Sequence, residues 1–221
     1  MMFYQCSTSL VYGYLTLSIT WPKGFCAARA CNFKAPNIFT LHGLWPSTVN
    51  EHGPTNCGST TAKFPKDIKE IEEKWSSGLV SNLKLITFPA NTQYGLWSHE
   101  WKTHGRCMVG KSYTRHELDA SHPEGYFSDS VYAFSNNVAG LSLKLSDLNV
   151  KPGFEYHADE LSSALETVIG SPVTIKCATS KDNKQYLQEV LVYMDNKLKH
   201  YDLSGKVSLV RNCNKKNKIM Y

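Results

Sequence analysis

Residues 97–107 read WSHEWKTHGRC, and the rest of the chain reads as a frame that holds this stretch against one other histidine. Taken as a helix over 97–104, at about 100° per residue, it sets His99, Glu100, Thr103 and His104 at roughly 0°, 100°, 40° and 140°. Trp101 points the other way, where it can pack. One arc therefore carries two imidazoles and a carboxylate, groups that accept, donate and steer protons near neutral pH. Gly105 follows as expected of a helix end, and Cys107 offers a tether to another part of the chain. A zinc helix needs H-E-x-x-H, with both histidines on one face. The H-E-x-x-x-H spacing here turns the second imidazole about 140° from the first, so no metal or other cofactor is expected.

The second pole lies in NIFTLHGLWP, residues 37–46. Residues 38–41 read as a buried strand, with His42 at its end, where catalytic side chains are often presented. Gly43 lets another chain or a ligand come close, and Trp45 can stack on something planar. A loop rich in Gly, Pro, Asn and Ser follows over 47–61 and contains Cys57. A bridge from Cys57 to Cys107 would tie the His42 segment to the end of the histidine-rich helix.

Working outward, residues 14–21 (YLTLSITW) alternate like a strand that Pro22 stops. Cys26 and Cys31 bracket a short loop and stand close enough to bridge. Residues 65–86 have helical spacing, with a break expected at Gly78; 126–145 read as one long helix, and 158–170 as another, ended by Gly170 and Pro172. Strand-like alternation returns over 173–178, 187–194 and 207–213. Cys177 and Cys213 lie on the first and last of these and could cross-link the sheet.

A chain of 221 residues suits one sizeable core. Its formal net charge of +5 fits a polyanionic partner, though only weakly. Seven cysteines without a C-x-x-C pair point to disulfides and an oxidising compartment. No apolar run is long enough to cross a membrane. Residues 1–13 (MMFYQCSTSLVYG) read as a shortened or imperfect secretion signal removed after Gly13, which would take Cys6 away and leave an even six cysteines.

FTLHGLWP (39–46) and SHEWKTHGRC (98–107) together resemble the two active-site signatures of the T2-type ribonucleases. YLTLSITWPKGFC (14–26) is similar to the start of the mature plant enzymes, and Cys177 and Cys213 match late cysteines of that family. The resemblance implies an α+β fold: a single domain over 14–221 with a central antiparallel sheet packed by helices and bridged by disulfides. It implies a secreted, metal-independent endonuclease that cleaves single-stranded RNA with weak base preference through a 2′,3′-cyclic phosphate. By position, His42 would be the general acid and His104 the general base. His99 would contact phosphate or substrate, Glu100 would help stabilise the transition state, and Trp45 would line a base pocket. The implied bridges are Cys26–Cys31, Cys57–Cys107 and Cys177–Cys213.

One departure bears on catalysis. The family pattern places a lysine just before the second histidine; that position is Thr103 here, and the lysine stands one residue earlier, at Lys102. On the wheel Lys102 falls about 60° outside the catalytic arc, so it is a candidate transition-state cation only if its long side chain reaches back. Thr103 would then line the substrate site instead. The residue after Cys107 is Met108, where many plant relatives carry a second cysteine, so one family disulfide is not expected. Basicity and the 14–22 stretch lean towards the stylar self-incompatibility ribonucleases, for which pollen F-box proteins would be partners and 47–56 or 113–125 a recognition surface. Stress- or phosphate-starvation-type secreted ribonucleases are the alternative, as is a non-catalytic recognition protein on the same scaffold. A monomer is expected.

Overall fold

Strand β1 (Tyr14–Thr20) is buried along its whole length and supplies both faces of the sheet. Leu15, Leu17 and Ile19 are fully buried and join the main core, while Thr16, Ser18 and Thr20 face the opposite side. The structure is a computed structural model that describes residues 13–29, 31–48, 53–58, 62–89, 92–109, 122–214 and 216–221. The expected leader, apart from Gly13, lies outside the described residues, as do most of 113–125 and part of 47–56.

β1 pairs antiparallel with β2 (Thr40–Ser47) on one side and β5 (Gln185–Met194) on the other. β5 pairs antiparallel in turn with β4 (Val173–Thr179). Three two-residue strands complete the sheet: β3 (Glu155–Tyr156), β6 (Val210–Arg211) and β7 (Ile219–Met220). β6 runs parallel to β4 and β7 parallel to β5, while β3 pairs antiparallel with β7, so the antiparallel centre carries parallel pairings at its margin. The expected strand over 207–213 shrinks to β6, although the Leu209 carbonyl still accepts from the Ile175 N–H of β4.

Proline ends β1 as expected, but it also opens a helix. Pro22 occupies the first turn of α1 (Pro22–Ala28), where its missing N–H removes no bond. The sequence pattern marks no helix here, only a short loop between Cys26 and Cys31. A Cβ on Gly24 would lie 1.7 Å from the Leu187 carbonyl oxygen, so α1 rests directly on β5.

The helix expected over 65–86 is two helices, α2 (Ile68–Lys74) and α3 (Ser77–Ile86). The break falls at Trp75 and Ser76 rather than Gly78. Ser76 is extended and its hydroxyl accepts from the Leu79 N–H, so it caps a fresh helix. Likewise the single helix expected over 126–145 divides into α5 (Pro123–Val138) and α6 (Leu141–Asp147). Gly140, at φ 71°, makes the left-handed turn between them. α7 (Ala158–Ile169) ends as expected at Gly170, at φ 79°.

Trp97 and Trp101 of α4 (Gln93–Thr103) are fully buried among Tyr126, Phe127 and the apolar face of the sheet. Removing either ring would cost about 3–5 kcal/mol. All three expected bridges are present, Cys26–Cys31, Cys57–Cys107 and Cys177–Cys213, with Cα separations of 5.3, 5.1 and 5.0 Å.

Candidate active site

The site begins with an irregularity in β2. Register runs Leu17↔Leu44 and Ser18↔Gly43, then slips to Ile19↔Leu41, leaving His42 as the extra residue of a β-bulge. His42 therefore lies within β2, not at the end of a strand over 38–41. The bulge has a consequence for side-chain direction. Residues three apart on a regular strand point to opposite faces; the extra residue restores parity, so His42 and Trp45 share one face. Their rings meet edge to face, with centroids 5.2 Å apart.

Gly43 is next. A Cβ here would fall 2.1 Å from Glu100 Oε2 and 2.7 Å from Trp45 Nε1. What comes close is thus the Glu100 carboxylate from α4. Trp45 donates its indole N–H to Glu100 Oε2 at 2.7 Å. The other oxygen, Oε1, is buried, accepts no hydrogen bond, and lies 3.4 Å from His42 Nε2 and 3.9 Å from His99 Nε2.

α4 starts four residues earlier than the 97–104 span and delivers its polar arc to this spot. Its last carbonyl is satisfied from outside. Asn56 N–H donates to the Thr103 carbonyl at 2.8 Å, beside the Cys57–Cys107 bridge. At His104 the backbone leaves the helix (φ −119°) and passes into a tight turn at Gly105–Met108. Gly105 is needed for packing more than for a helix stop: a Cβ would sit 2.5 Å from Trp101 and 3.0 Å from Tyr126.

The exit swings the His104 ring onto Trp45, stacked at 5.0 Å and 28°. Trp45 thus stands between the two imidazoles, one of its faces already occupied. His99 sits 6.4 Å from His104, centroid to centroid, and is 62 % exposed. Thr103 Oγ1 lies 3.4 Å from His99 Nδ1. Lys102 is exposed and forms no ion pair with a described residue.

Two residues of the cluster were missed in the sequence. Glu189 on β5 accepts from His42 Nδ1 at 2.9 Å, and Lys176 on β4 reaches the other oxygen of that carboxylate at 2.7 Å. The available signal was a charge inside each of two apolar strands, VTIKCAT and QYLQEVLVYM.

These contacts set the two histidines apart. Burial opposes charging His42, but the Glu189 hydrogen bond and the charges of Glu100 and Glu189 outweigh it, and its pKa stands above the ordinary 6.5. His104 has no such carboxylate. Burial, then the nearby His99 and His42, push it down to about 4. Burial raises Glu100, which His42, the Trp45 N–H and His99 only partly offset. Glu189 is buried too, yet His42 and Lys176 hold it at about 2. The surroundings thus favour the charged form of His42 and the neutral form of His104.

His99, Glu100 and His104 also bring atoms of metal-ligand type within 4.8 Å of one another. The 140° separation of an ideal helix is lost where His104 leaves helical geometry. One Glu100 oxygen is committed to the Trp45 N–H, and the other has no donor.

Residues 12–214 match the Ribonuclease T2 family. The intracellular ribonuclease LX of Solanum lycopersicum is 25 % identical over 203 residues, 86 % of this chain and 76 % of that protein. Ribonuclease S-F11 of Nicotiana alata is 28 % identical over 192 residues, 81 % and 84 % of the two chains. The crystal structure of the gametophytic self-incompatibility associated SF11-RNase of Nicotiana alata superposes with a TM-score of 0.73 at 22 % identity, over 96 % of this chain and 99 % of that one. The fold is therefore theirs, and the chain belongs to the Ribonuclease T2 family as a T2-type endoribonuclease.

Proposed function

We propose that the chain cleaves single-stranded RNA without a metal, by attack of a ribose 2′-OH on the adjacent phosphate to give a 2′,3′-cyclic phosphate. His104 takes the proton from the 2′-OH, and His42 gives one to the departing 5′-oxygen. The observation that carries this is that two imidazoles lie against Trp45 in opposed surroundings, His42 hydrogen-bonded to a buried carboxylate that favours its charged form and His104 without such a bond, its burial favouring the neutral form. Glu100, buried with one oxygen lacking a donor, is suited to steady positive charge on His42 or His99 as the phosphorane forms. His99, exposed beside it, contacts the phosphate. Trp45 keeps a base-stacking role only through the face that His104 leaves open; stacking there tolerates any base.

The test is cleavage of a single-stranded oligoribonucleotide in excess chelator, with the product ends identified. Cyclic phosphate ends, lost in His42→Ala and His104→Ala, are expected. Wild-type activity no higher than the variants would favour a non-catalytic recognition protein, a possibility raised by Thr103 at the family lysine position.

Secretion and a role in gametophytic self-incompatibility form the finer part of the proposal. Three disulfides among the described residues favour an oxidising compartment. The likeness to ribonuclease S-F11 and the basic charge favour the stylar role, with pollen F-box proteins as partners. The likeness to intracellular ribonuclease LX points the other way. Intact mass and N-terminal sequence of the protein recovered outside expressing plant cells decide between them; retention inside the cells would overturn secretion.

A further inference from the structure

Lys176 and Glu189 transfer no proton in the chemistry above, yet their placement is specific. They stand directly opposite each other in the β4–β5 register, and Lys176 Nζ lies 2.7 Å from Glu189 Oε2. Glu189 Oε1 meets His42 Nδ1 at 2.9 Å. Side-chain exposure falls from 31 % at Lys176 to 4 % at Glu189, so the pair runs inward from the surface to the back of the imidazole.

As a staple between two strands this pair would do little. Two charges brought out of water lose hydration comparable to the attraction they gain, and well-packed apolar residues serve as well. The geometry at His42 gives the pair a different task. A carboxylate at Nδ1 fixes which ring nitrogen carries that proton and leaves Nε2 facing Glu100 and the cleft, 3.4 Å from Oε1. A general acid must be charged before the reaction and still release its proton during it. Glu189 supplies the first condition. Lys176, by offsetting part of the carboxylate's charge, supplies the second.

We infer that Glu189 and Lys176 are positioning residues that set the orientation and protonation of His42 from behind. This deepens the catalytic role proposed for His42 and rests on it. The charged and titratable groups around the ring are Glu189 on β5, Lys176 on β4, Glu100 and His99 on α4, and His104 just past its end; Tyr126 on α5 lies close to Glu100. Of these, only Glu189 hydrogen-bonds the His42 ring.

The experiment measures kcat and KM against pH for the wild type, Glu189→Gln, Lys176→Met, Lys176→Arg and His42→Ala, with thermal melts to confirm folding. Glu189→Gln keeps an acceptor for Nδ1 but removes the charge, so the alkaline limb should move down by about one pH unit. Lys176→Met should move it up, because the carboxylate then acts unopposed, and Lys176→Arg should restore the wild-type position. KM should stay within about threefold throughout, since neither residue touches substrate. Opposite displacements are the signature; a strand staple would lower stability in both variants and leave the limb in place. Limbs that stay put, or move together, with His42→Ala inactive, overturn the inference. Wild-type activity in His42→Ala overturns instead the role of His42 on which it rests.

Discussion

Trp45 donates its indole N–H to Glu100 Oε2 at 2.7 Å across 55 residues of sequence, and the same ring lies against both His42 and His104. One side chain thus spaces the two imidazoles and fixes the carboxylate beneath them. Trp45→Phe keeps the aromatic surface but leaves a buried carboxylate oxygen without its donor, at about 1–3 kcal/mol. We expect kcat to fall about tenfold or more, with a lower melting temperature. An unchanged kcat would show that the indole N–H is dispensable.

Gly43→Ala should be worse for activity than for folding. The added methyl falls on Glu100 Oε2 and Trp45 Nε1, at 2.1 and 2.7 Å. The carboxylate must move, and with it the His42–Glu100 contact. Activity should drop by about 10²-fold, while far-ultraviolet circular dichroism stays that of the wild type. Gly105→Ala makes the contrast, because its methyl meets Trp101 and Tyr126 in the core. It should lower stability by about 1–3 kcal/mol through overpacking.

The sequence displayed the frame better than the joints. Alternation in YLTLSITW, Pro22 after it, and Gly170 ending α7 each act through the local backbone, and each is where it was expected. Trp101 lies on the buried side of its helix for the same reason. The bulge at His42 is different. It depends on register against β1, which no local pattern encodes, and so His42 was expected at a strand end. Glu189 and Lys176 come from strands more than a hundred residues after His42, and only the sheet order β2-β1-β5-β4 brings them to it. The helix breaks at Ser76 and Gly140 had local signals, a capping hydroxyl and a glycine, that apolar periodicity overrode.

Lys102 and Thr103 separate position from composition. Lys102→Ala should leave kcat within about twofold, since its exposed amine meets no described residue of the site. Thr103 stands on the arc, 3.4 Å from His99. Thr103→Lys would place a cation beside the phosphate and should raise kcat about tenfold or more. A large loss in Lys102→Ala, measured on the same oligoribonucleotide, would return that lysine to the mechanism.

His104 should also show in the pH dependence of stability. Its folded pKa of about 4 lies below the ordinary 6.5, so between these values the unfolded chain binds a proton that the folded chain refuses. Stability from this group is full above pH 6.5 and is lost as the pH falls towards 4, by up to about 3 kcal/mol. Melting temperature should therefore fall less steeply over that window in His104→Gln than in the wild type. Parallel curves would mean that His104 titrates normally.

The central claim is that His42 and His104 act on one phosphate from opposite protonation states. The most direct test is kcat/KM against pH in the free enzyme, which reports the two groups as a coupled pair. A bell is predicted, with its acid limb near pH 4 from His104 and its alkaline limb above pH 6.5 from His42. A rate that climbs steadily through pH 9, or one indifferent to pH between 3 and 9, would contradict it.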